Sequence, residues 1–440
     1  MQPEKADIAV IGAGAAGLMA AIAAGREARR SLRVVALDGA RTLGAKILVA
    51  GGGRCNVTHH EVSEADFAGA SRHAIKQVLR AFDVPSTVGF FRDIGVELKR
   101  EETGKLFPVT DNARTVLNAL LTAAREAGVE IRHPFRVDRI VRGPGHGFLV
   151  TEAASQAVSS GGPRALEASR VILATGGRAL PKSGSDGHGY TIARSLGHTI
   201  TPAIHPALVP LLLPEGHFLR ALSGVTFNAT LELRSPTGKR LVSFTGSTLC
   251  THFGLSGPSV LDISRHYLSA CEAARTTPGG EDPQASLFLN CLPSEPADML
   301  DARLVALGMR TPASYLRERF PERLAHALCI EARVDPGAPA SALTRDQRRS
   351  LVRTVTELRL PITGDRGFTH AEATAGGVPL SELFLQSMES RITPGLHIIG
   401  ELCDVDGRIG GFNFQWAWSS GHVAGEAAAH SLQRAGSTRG

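Results

Sequence analysis

The chain has 440 residues, 48 Lys and Arg against 42 Asp and Glu, and a formal net charge of +6. That length exceeds one ordinary domain and allows a large buried core. Its six scattered cysteines, with no CxxC pair, exclude a disulfide framework and a thiolate metal site. The basic balance permits a nucleic-acid partner without requiring one.

Ala6 to Ile11 is a short apolar run, followed by Gly12-Ala13-Gly14-Ala15-Ala16-Gly17 and the helix-forming LMAAIAA. Strand, GxGxxG and helix in that order make a dinucleotide-binding fingerprint. Gly12 allows the tight turn, Gly14 lets a pyrophosphate approach, and Gly17 lets helix and strand pack closely. The helix N-terminus then supplies amide donors and a positive dipole. A second apolar run, Val34 to Leu37, ends in Asp38, 21 residues past Gly17. A carboxylate there suits the ribose hydroxyls of an adenosine. The uncharged stretch from Ile8 to Gly25 superficially resembles a signal peptide or membrane span, but the fingerprint accounts for it. A soluble, cytoplasmic protein with no membrane partner is expected.

Residues 51–56 read GGGRCN, followed by VTHH. Three glycines let backbone approach a ligand, Arg54 offers charge to a phosphate or a flavin carbonyl, and Cys55 offers a proton or a nucleophile. The alternative is a flexible glycine turn around a buried, inert cysteine. His59 and His60 are read as surface residues, and no metal is expected. Ile75 to Phe91 and Thr115 to Glu126 have helical spacing, the latter stopped by Gly128. Val137 to Val141 and Phe148 to Thr151 are strand-like, a polar Gly/Ser loop occupies 155–163, and GPGHG at 143–147 lacks a strand–helix context. Val171 to Ala174 reads as a buried strand ending in Thr175-Gly176-Gly177. That turn either passes near a nucleotide or merely ends the strand.

Runs between 200 and 290, such as Thr226 to Leu233 and Arg240 to Phe244, are separated by Pro and Gly and read as a β-rich module. Pro293 to Leu360 turns helical. Within it Arg345, Arg348, Arg349 and Arg353 fall on one helical face, which is either a phosphate-binding stripe or a solvated surface. Leu396 to Gly400 is another apolar strand leading to Glu401, Asp404, Asp406 and GGFNFQWAW, then the helix-like SSGHVAGEAAA. This makes a second ligand-facing helix N-terminus, suited to negative charge at the N1/O2 edge of a reduced flavin. Asp404 or Asp406 suits ribityl hydroxyls or a pyrophosphate-bridging water. A helix cap with aromatic packing is the plainer alternative.

GAGAAGL, GGGRCNVT, THFGLSGP (251–258), ATAGGVPL (373–380), TPGLHIIGELCDVDG (393–407) and GGFNFQWAWSSGHVAG together resemble the BaiN/RdsA-type bacterial flavoprotein family. This group, which includes aminoacetone oxidase family enzymes, belongs to the glutathione-reductase-like FAD superfamily. Its members have been assigned as a reductase of unsaturated bile-acid intermediates, an aminoacetone oxidase, and a synthase of dihydrouridine in 23S ribosomal RNA. The resemblance implies an α/β fold: a Rossmann-like FAD domain built from 1–199 and 363–440, a β-barrel-like insertion at 200–292, and a helical insertion at 293–362. It implies that Gly12, Gly14, Ala15 and Gly17 hold the pyrophosphate and Asp38 the adenosine ribose. Val137 would bracket the adenine, and Thr175 and Gly176 would pass beside the nucleotide. Lys46, Arg54, Cys55 and Asn56 would lie along the ribityl–flavin side. Asp404, Gly411, Phe412, Asn413 and Phe414 would close over the ring.

With FAD as the cofactor and only one dinucleotide fingerprint, NAD(P)H is expected to bind transiently as electron donor. Reduction of an activated C=C bond needs a proton as well as a hydride. Cys55 is the candidate general acid and Arg54 the group that steadies developing anionic charge. His252 is a second candidate, or only a helix-entry histidine. Three functions are compatible with these residues: reduction of uracil in ribosomal RNA, reduction or oxidation of a small molecule (an unsaturated steroid-like ketone or an amine), and a non-catalytic flavin-binding regulator.

Overall fold

The apolar N-terminal run forms the strand Glu4–Ile11, whose last four residues are all buried. Such a run, apolar on both faces, suits the middle of a parallel sheet. It pairs in parallel with Val34–Leu37 on one side and Ala165–Leu173 on the other. Glu130–Arg132 extends the sheet beyond Val34–Leu37, and Leu396–Ile398 extends it beyond Ala165–Leu173, both in parallel. The computed structural model describes residues 3–143, 147–154, 164–276 and 285–437. The expected loop at 155–163 and the centre of GPGHG lie outside them.

The strand expected at 171–174 runs from Ala165 to Leu173 because its two halves have different partners. Ala165 to Ala168 pair antiparallel with Phe148–Glu152, while Val171 to Leu173 pair in parallel with Leu396–Ile398. The single helix expected from Ile75 to Phe91 is two helices, Arg72–Ala81 and Val84–Asp93. Pro85 has no amide for a continuous helix, and the Asp83 side chain instead caps the second one by accepting from the Ser86 amide at 2.9 Å.

The chain ends meet through two helices, Ala15–Ala28 and Phe412–Ser437. A Cβ at Gly421 would lie 2.5 Å from the Ala16 carbonyl oxygen, and one at Gly425 would overlap the Ala20 carbonyl. The missing side chains allow this close approach. The two segments, though nearly four hundred residues apart, therefore share one core with the sheet.

Two units result: Met1–Ile204 with Ala373–Gly440, and His205–Glu372. The boundaries expected at 199 and 362 shift accordingly, and the β-rich and helical insertions are one unit. Its antiparallel sheet runs in the order Leu358–Leu360, Ser286–Asn290, Thr226–Arg234, Arg240–Thr251, Gly254–Ser256, Leu211–Leu212, Gly364–Asp365. The first and last strands of that order are joined by residues 361–363 alone. Four steps of chain reach about 14 Å, whereas seven flat strands would spread about 29 Å, so the sheet must curl as a barrel does. Helices Ala297–Ala306, Glu322–Glu331 and Arg345–Thr356 pack into the same core through Leu300, Leu324, Leu328, Leu351 and Val355.

Candidate functional site

The C-terminal ends of the parallel strands Glu4–Ile11, Val34–Leu37 and Ala165–Leu173 bring the fingerprint residues of the first unit together. Gly12 has φ +99°, and a Cβ on it would sit 2.5 Å from the Ala174 carbonyl. A Cβ on Gly17 would overlap the Gly12 carbonyl. Gly14 differs from both: a Cβ there meets nothing within 4 Å, and the residue caps its helix without a side-chain hydrogen bond. The positive helix end therefore faces open space at Gly14 and Ala15, as an anion requires.

Asp38 is nearly buried, and its carboxylate accepts from the Ala13 amide at 2.7 Å and the Ala40 amide at 2.8 Å. It braces the fingerprint turn from the neighbouring strand. The Phe135 amide donates to the Asp38 carbonyl at 2.7 Å, which sets buried Val137 two residues beyond the carboxylate's own loop. On the next strand, the buried Thr175 hydroxyl has no hydrogen-bond partner, and Gly176 turns at φ +72°.

GGGRCN breaks a helix. Ala45–Gly53 loses helical geometry at Ala50, Gly51 and Gly52, the two glycines being left-handed. Cys55 is left-handed too, at φ +62°, an uncommon conformation for a residue with a side chain. Its thiol is fully enclosed in the core, and burial pushes its pKa up to about 12. The sequence expectation made this thiol the acid of a reaction; the structure instead encloses it in the core, and burial makes it a weaker proton donor than a free thiol. Arg54 turns outward, its guanidinium 2.6 Å from Glu101 and 4.0 Å above the Phe107 ring. Charge on its own chain thus already engages it. Asn56 is buried with its Oδ1 unpartnered.

A charged network joins the two chain ends: it ties Lys46, which the family resemblance placed along the flavin, to Glu401, which had no assigned role. Lys46 Nζ lies 2.5 Å from Glu401 Oε2, both side chains being largely buried. The Thr374 hydroxyl donates to Glu401 Oε1 at 2.6 Å and accepts from the Arg178 and Ala179 amides. Near Glu401, the buried Tyr190 hydroxyl has no partner. Burial first, and the Glu401 charge second, drive its pKa far above the usual phenol range. The adjacency of Glu401 to the strand Leu396–Ile398 was the only sequence signal for it.

The start of Phe412–Ser437 grips the residues that follow GGGRCN. The Trp418 indole donates to the Val57 carbonyl at 2.8 Å, and the Thr58 hydroxyl donates to Gln415 at 2.7 Å. The Trp416 indole donates to the Gly400 carbonyl at 3.0 Å. Gly411, at φ +96°, leaves no room for a side chain beside Thr58. The Phe412 ring stacks on His59 at 4.9 Å, and Phe414 stacks on Trp418 at 5.6 Å. Asn413 clamps Gly407, accepting from its amide at 2.9 Å and donating to its carbonyl at 3.0 Å. Asp404, half-buried, is fixed through its backbone to Val378 and Ala70.

His252 belongs to the second unit. It is exposed in the turn between Arg240–Thr251 and Gly254–Ser256, where its carbonyl accepts from Arg220 at 2.8 Å. It is a hairpin-turn residue and not a helix-entry one, because THFGLSG is spent on strands before the helix Pro258–Thr276 begins. Among the described residues, no three His, Cys, Asp or Glu side chains cluster as metal ligands, and no helix is long and apolar enough to cross a membrane.

An open helix N-terminus beside a carboxylate on the next strand defines a dinucleotide-binding Rossmann unit. The HI0933-like protein Rossmann domain matches residues 6–427, and the chain belongs to that FAD-binding family. It is 34% identical to a 3-dehydro-bile acid delta(4,6)-reductase of Clostridium scindens, over 96% of this chain and 98% of that protein. It is 31% identical to a ribosomal RNA dihydrouridine synthase of Escherichia coli, over 95% and 96%. A ribosomal RNA dihydrouridine synthase of Haemophilus influenzae is 30% identical, over 94% and 96%. The chain is an FAD-dependent oxidoreductase. The residues present fit the cofactor. Gly14 leaves a cradle for phosphate, and Thr175, Asn56 and Tyr190 offer buried polar atoms with no partner of their own.

Proposed function

We propose that this enzyme saturates a carbon–carbon double bond conjugated to a carbonyl, with NAD(P)H as transient donor and uridine in 23S ribosomal RNA as its substrate. What carries this reading is the near-equal likeness to two relatives whose names describe one chemistry on two scaffolds. A delta(4,6)-reductase of a 3-dehydro bile acid and a dihydrouridine synthase both saturate such a bond. A small-molecule substrate, an unsaturated steroid-like ketone, is the second reading, favoured by the slightly higher identity to the bile-acid enzyme.

When bound, FAD supplies the hydride chemistry, and the protein binds, orients and excludes water. In this reading Gly12, Gly14, Ala15 and Gly17 hold the pyrophosphate, Asp38 the ribose, and Val137 brackets the adenine. Thr175, Gly176, Lys46, Asn56 and Asp404 line the path to the ring, and Gly411, Phe412, Asn413 and Phe414 shape its far side. Lys46 carries the positive charge at this end of the site, held in place by Glu401. Cys55 serves as a protonated packing group beside the flavin loop. Arg54 acts on substrate only by exchanging Glu101 for it. His252, the other proton donor expected from sequence, is an exposed residue of the second unit.

Two measurements test the reading. Anaerobic NADPH or NADH should bleach the flavin absorbance, and an acceptor with a conjugated C=C should restore it; restoration by dioxygen alone overturns the proposed reaction. Dihydrouridine in ribosomal RNA should be lost on gene deletion, and an unchanged content moves the substrate to the small-molecule reading.

A further inference from the structure

The helix Arg345–Thr356 carries three arginines for which the second unit has no use. Its inner face, Leu351, Val352 and Val355, is buried in that unit's core, and Arg348 on its flank is held by Asp301 at 2.7 Å. Arg345, Arg349 and Arg353 form the outer ridge and are exposed. Among the described residues, no carboxylate lies within ion-pair distance of any of the three. Four other arginines of the unit are answered from within it, Arg303 and Arg319 by Glu295, Arg310 by Glu318 and Arg317 by Glu322. Arg240, Arg333 and Arg359, also unpaired among the described residues, share no helix face with one another.

The ridge works against its own helix. Residues four apart are surface neighbours, so both successive pairs set like charges together. Arg345, at the first helical position, also opposes the positive helix end. The helix forms nonetheless through its buried face and the capping box of Thr344 and Gln347. Cations so placed weaken the helix that carries them.

We propose that this ridge docks the phosphodiester backbone of RNA, an inference that rests on ribosomal RNA being the substrate. Arginines four residues apart rise by about 6 Å each, so the ridge spans about 12 Å. A nucleic-acid strand carries one charge per about 3.4 Å of rise, so three guanidinium groups face about four phosphates. Guanidinium groups bind phosphate oxygens in bidentate fashion. The exposed Asp346 and Ser350 beside the ridge offer no apolar face to a lipid surface, which makes RNA the better match.

The test compares FAD-loaded full-length protein with its Arg345→Gln, Arg349→Gln, Arg353→Gln triple variant, using a 23S ribosomal RNA transcript across about 50–200 mM salt. Each phosphate that an arginine no longer neutralises should make the slope of log affinity against log salt shallower by about 0.7–0.9, so by about 2–3 in all. Affinity at about 0.1 M salt should fall by at least about tenfold, with FAD content and circular dichroism unchanged. An Arg310→Gln, Arg317→Gln control removes ion-paired charge from the same unit and should leave the slope alone. A triple variant that binds like wild type overturns the ridge while leaving RNA as the substrate. Loss of binding to phosphatidylserine vesicles with RNA binding intact also overturns it. No RNA affinity in the wild type, with ribosomal dihydrouridine unchanged on deletion, removes the substrate reading and the ridge with it.

Discussion

At Gly14 a Cβ would meet no protein atom within 4 Å, whereas at Gly17 it would overlap the Gly12 carbonyl. One motif thus separates binding from folding, residue by residue. Gly14→Ala should fold as wild type yet retain at least about tenfold less FAD, because its methyl enters the space open to phosphate. Gly17→Ala should lower stability by about 1–3 kcal/mol through overpacking. Released FAD per chain and urea midpoints measure both, and an alanine at 14 that keeps a full complement of FAD would refute the phosphate cradle. Glu401→Gln leaves the Lys46 ammonium, 27% exposed, without its counter-charge. A cost of about 1–3 kcal/mol is expected, below that of a fully buried pair, with FAD affinity lowered in parallel. Unfolding with and without added FAD separates the two effects.

At the scale of elements, the contact between the helices Ala15–Ala28 and Phe412–Ser437 decides whether the two chain ends form one domain. Replacing an exposed mid-helix glycine by alanine ordinarily stabilises by about 1 kcal/mol. Gly425→Ala should have the opposite sign, because the new methyl overlaps the Ala20 carbonyl and pushes the helices apart. Destabilisation by about 1–3 kcal/mol is expected, and a thermal midpoint at or above wild type would disprove the close packing. The same C-terminal helix holds Val57 and Thr58, just past the broken Ala45–Gly53 helix, through Trp418 and Gln415. Gln415, Trp416 and Trp418 of FNFQWAW are therefore structural, and they position the residues that follow GGGRCN and the turn at Gly400.

For the whole molecule, buried thiols set an alkaline limit. Burial raises Cys55 and Cys250 from an ordinary value of 9.0 to about 12, and Cys329 to about 11. Folded thiols keep protons that unfolded ones lose, so the unfolded state binds fewer protons above pH 9 and stability falls as pH rises. The contribution is fully present below pH 9 and is lost progressively between pH 9 and about 12. Each thiol costs about 1.4 kcal/mol per pH unit within that window. Urea midpoints at pH 8 and pH 10 should show the decline, and a Cys55→Ala variant should show a shallower one. The purified protein should also be yellow and release FAD on denaturation; a colourless preparation that cannot be reconstituted would contradict the family's cofactor.

Local regularity made the nucleotide half of the site legible from sequence. A buried strand, three spaced glycines, a helix and a carboxylate at position 38 are contiguous or nearly so, and each acts through backbone geometry that residue type largely dictates. The same holds for the strand Val34–Leu37 and for the helical character of residues 115–126, which the structure extends back to Ala113. What lay beyond the sequence were the long-range pairings. Cys55 reads as reactive until its neighbours enclose it, and Arg54 reads as available until Glu101, 47 residues away, engages it. Lys46 and Glu401 meet across 355 residues, a distance no local pattern encodes. The glycine motif and short-range periodicity thus determined a dinucleotide site and the strand–turn–helix that receives it, and the family resemblance made that dinucleotide FAD. Only the tertiary structure decided which side chains are enclosed and which remain open to a ligand, because burial and charge pairing depend on groups that the chain brings together from its opposite ends.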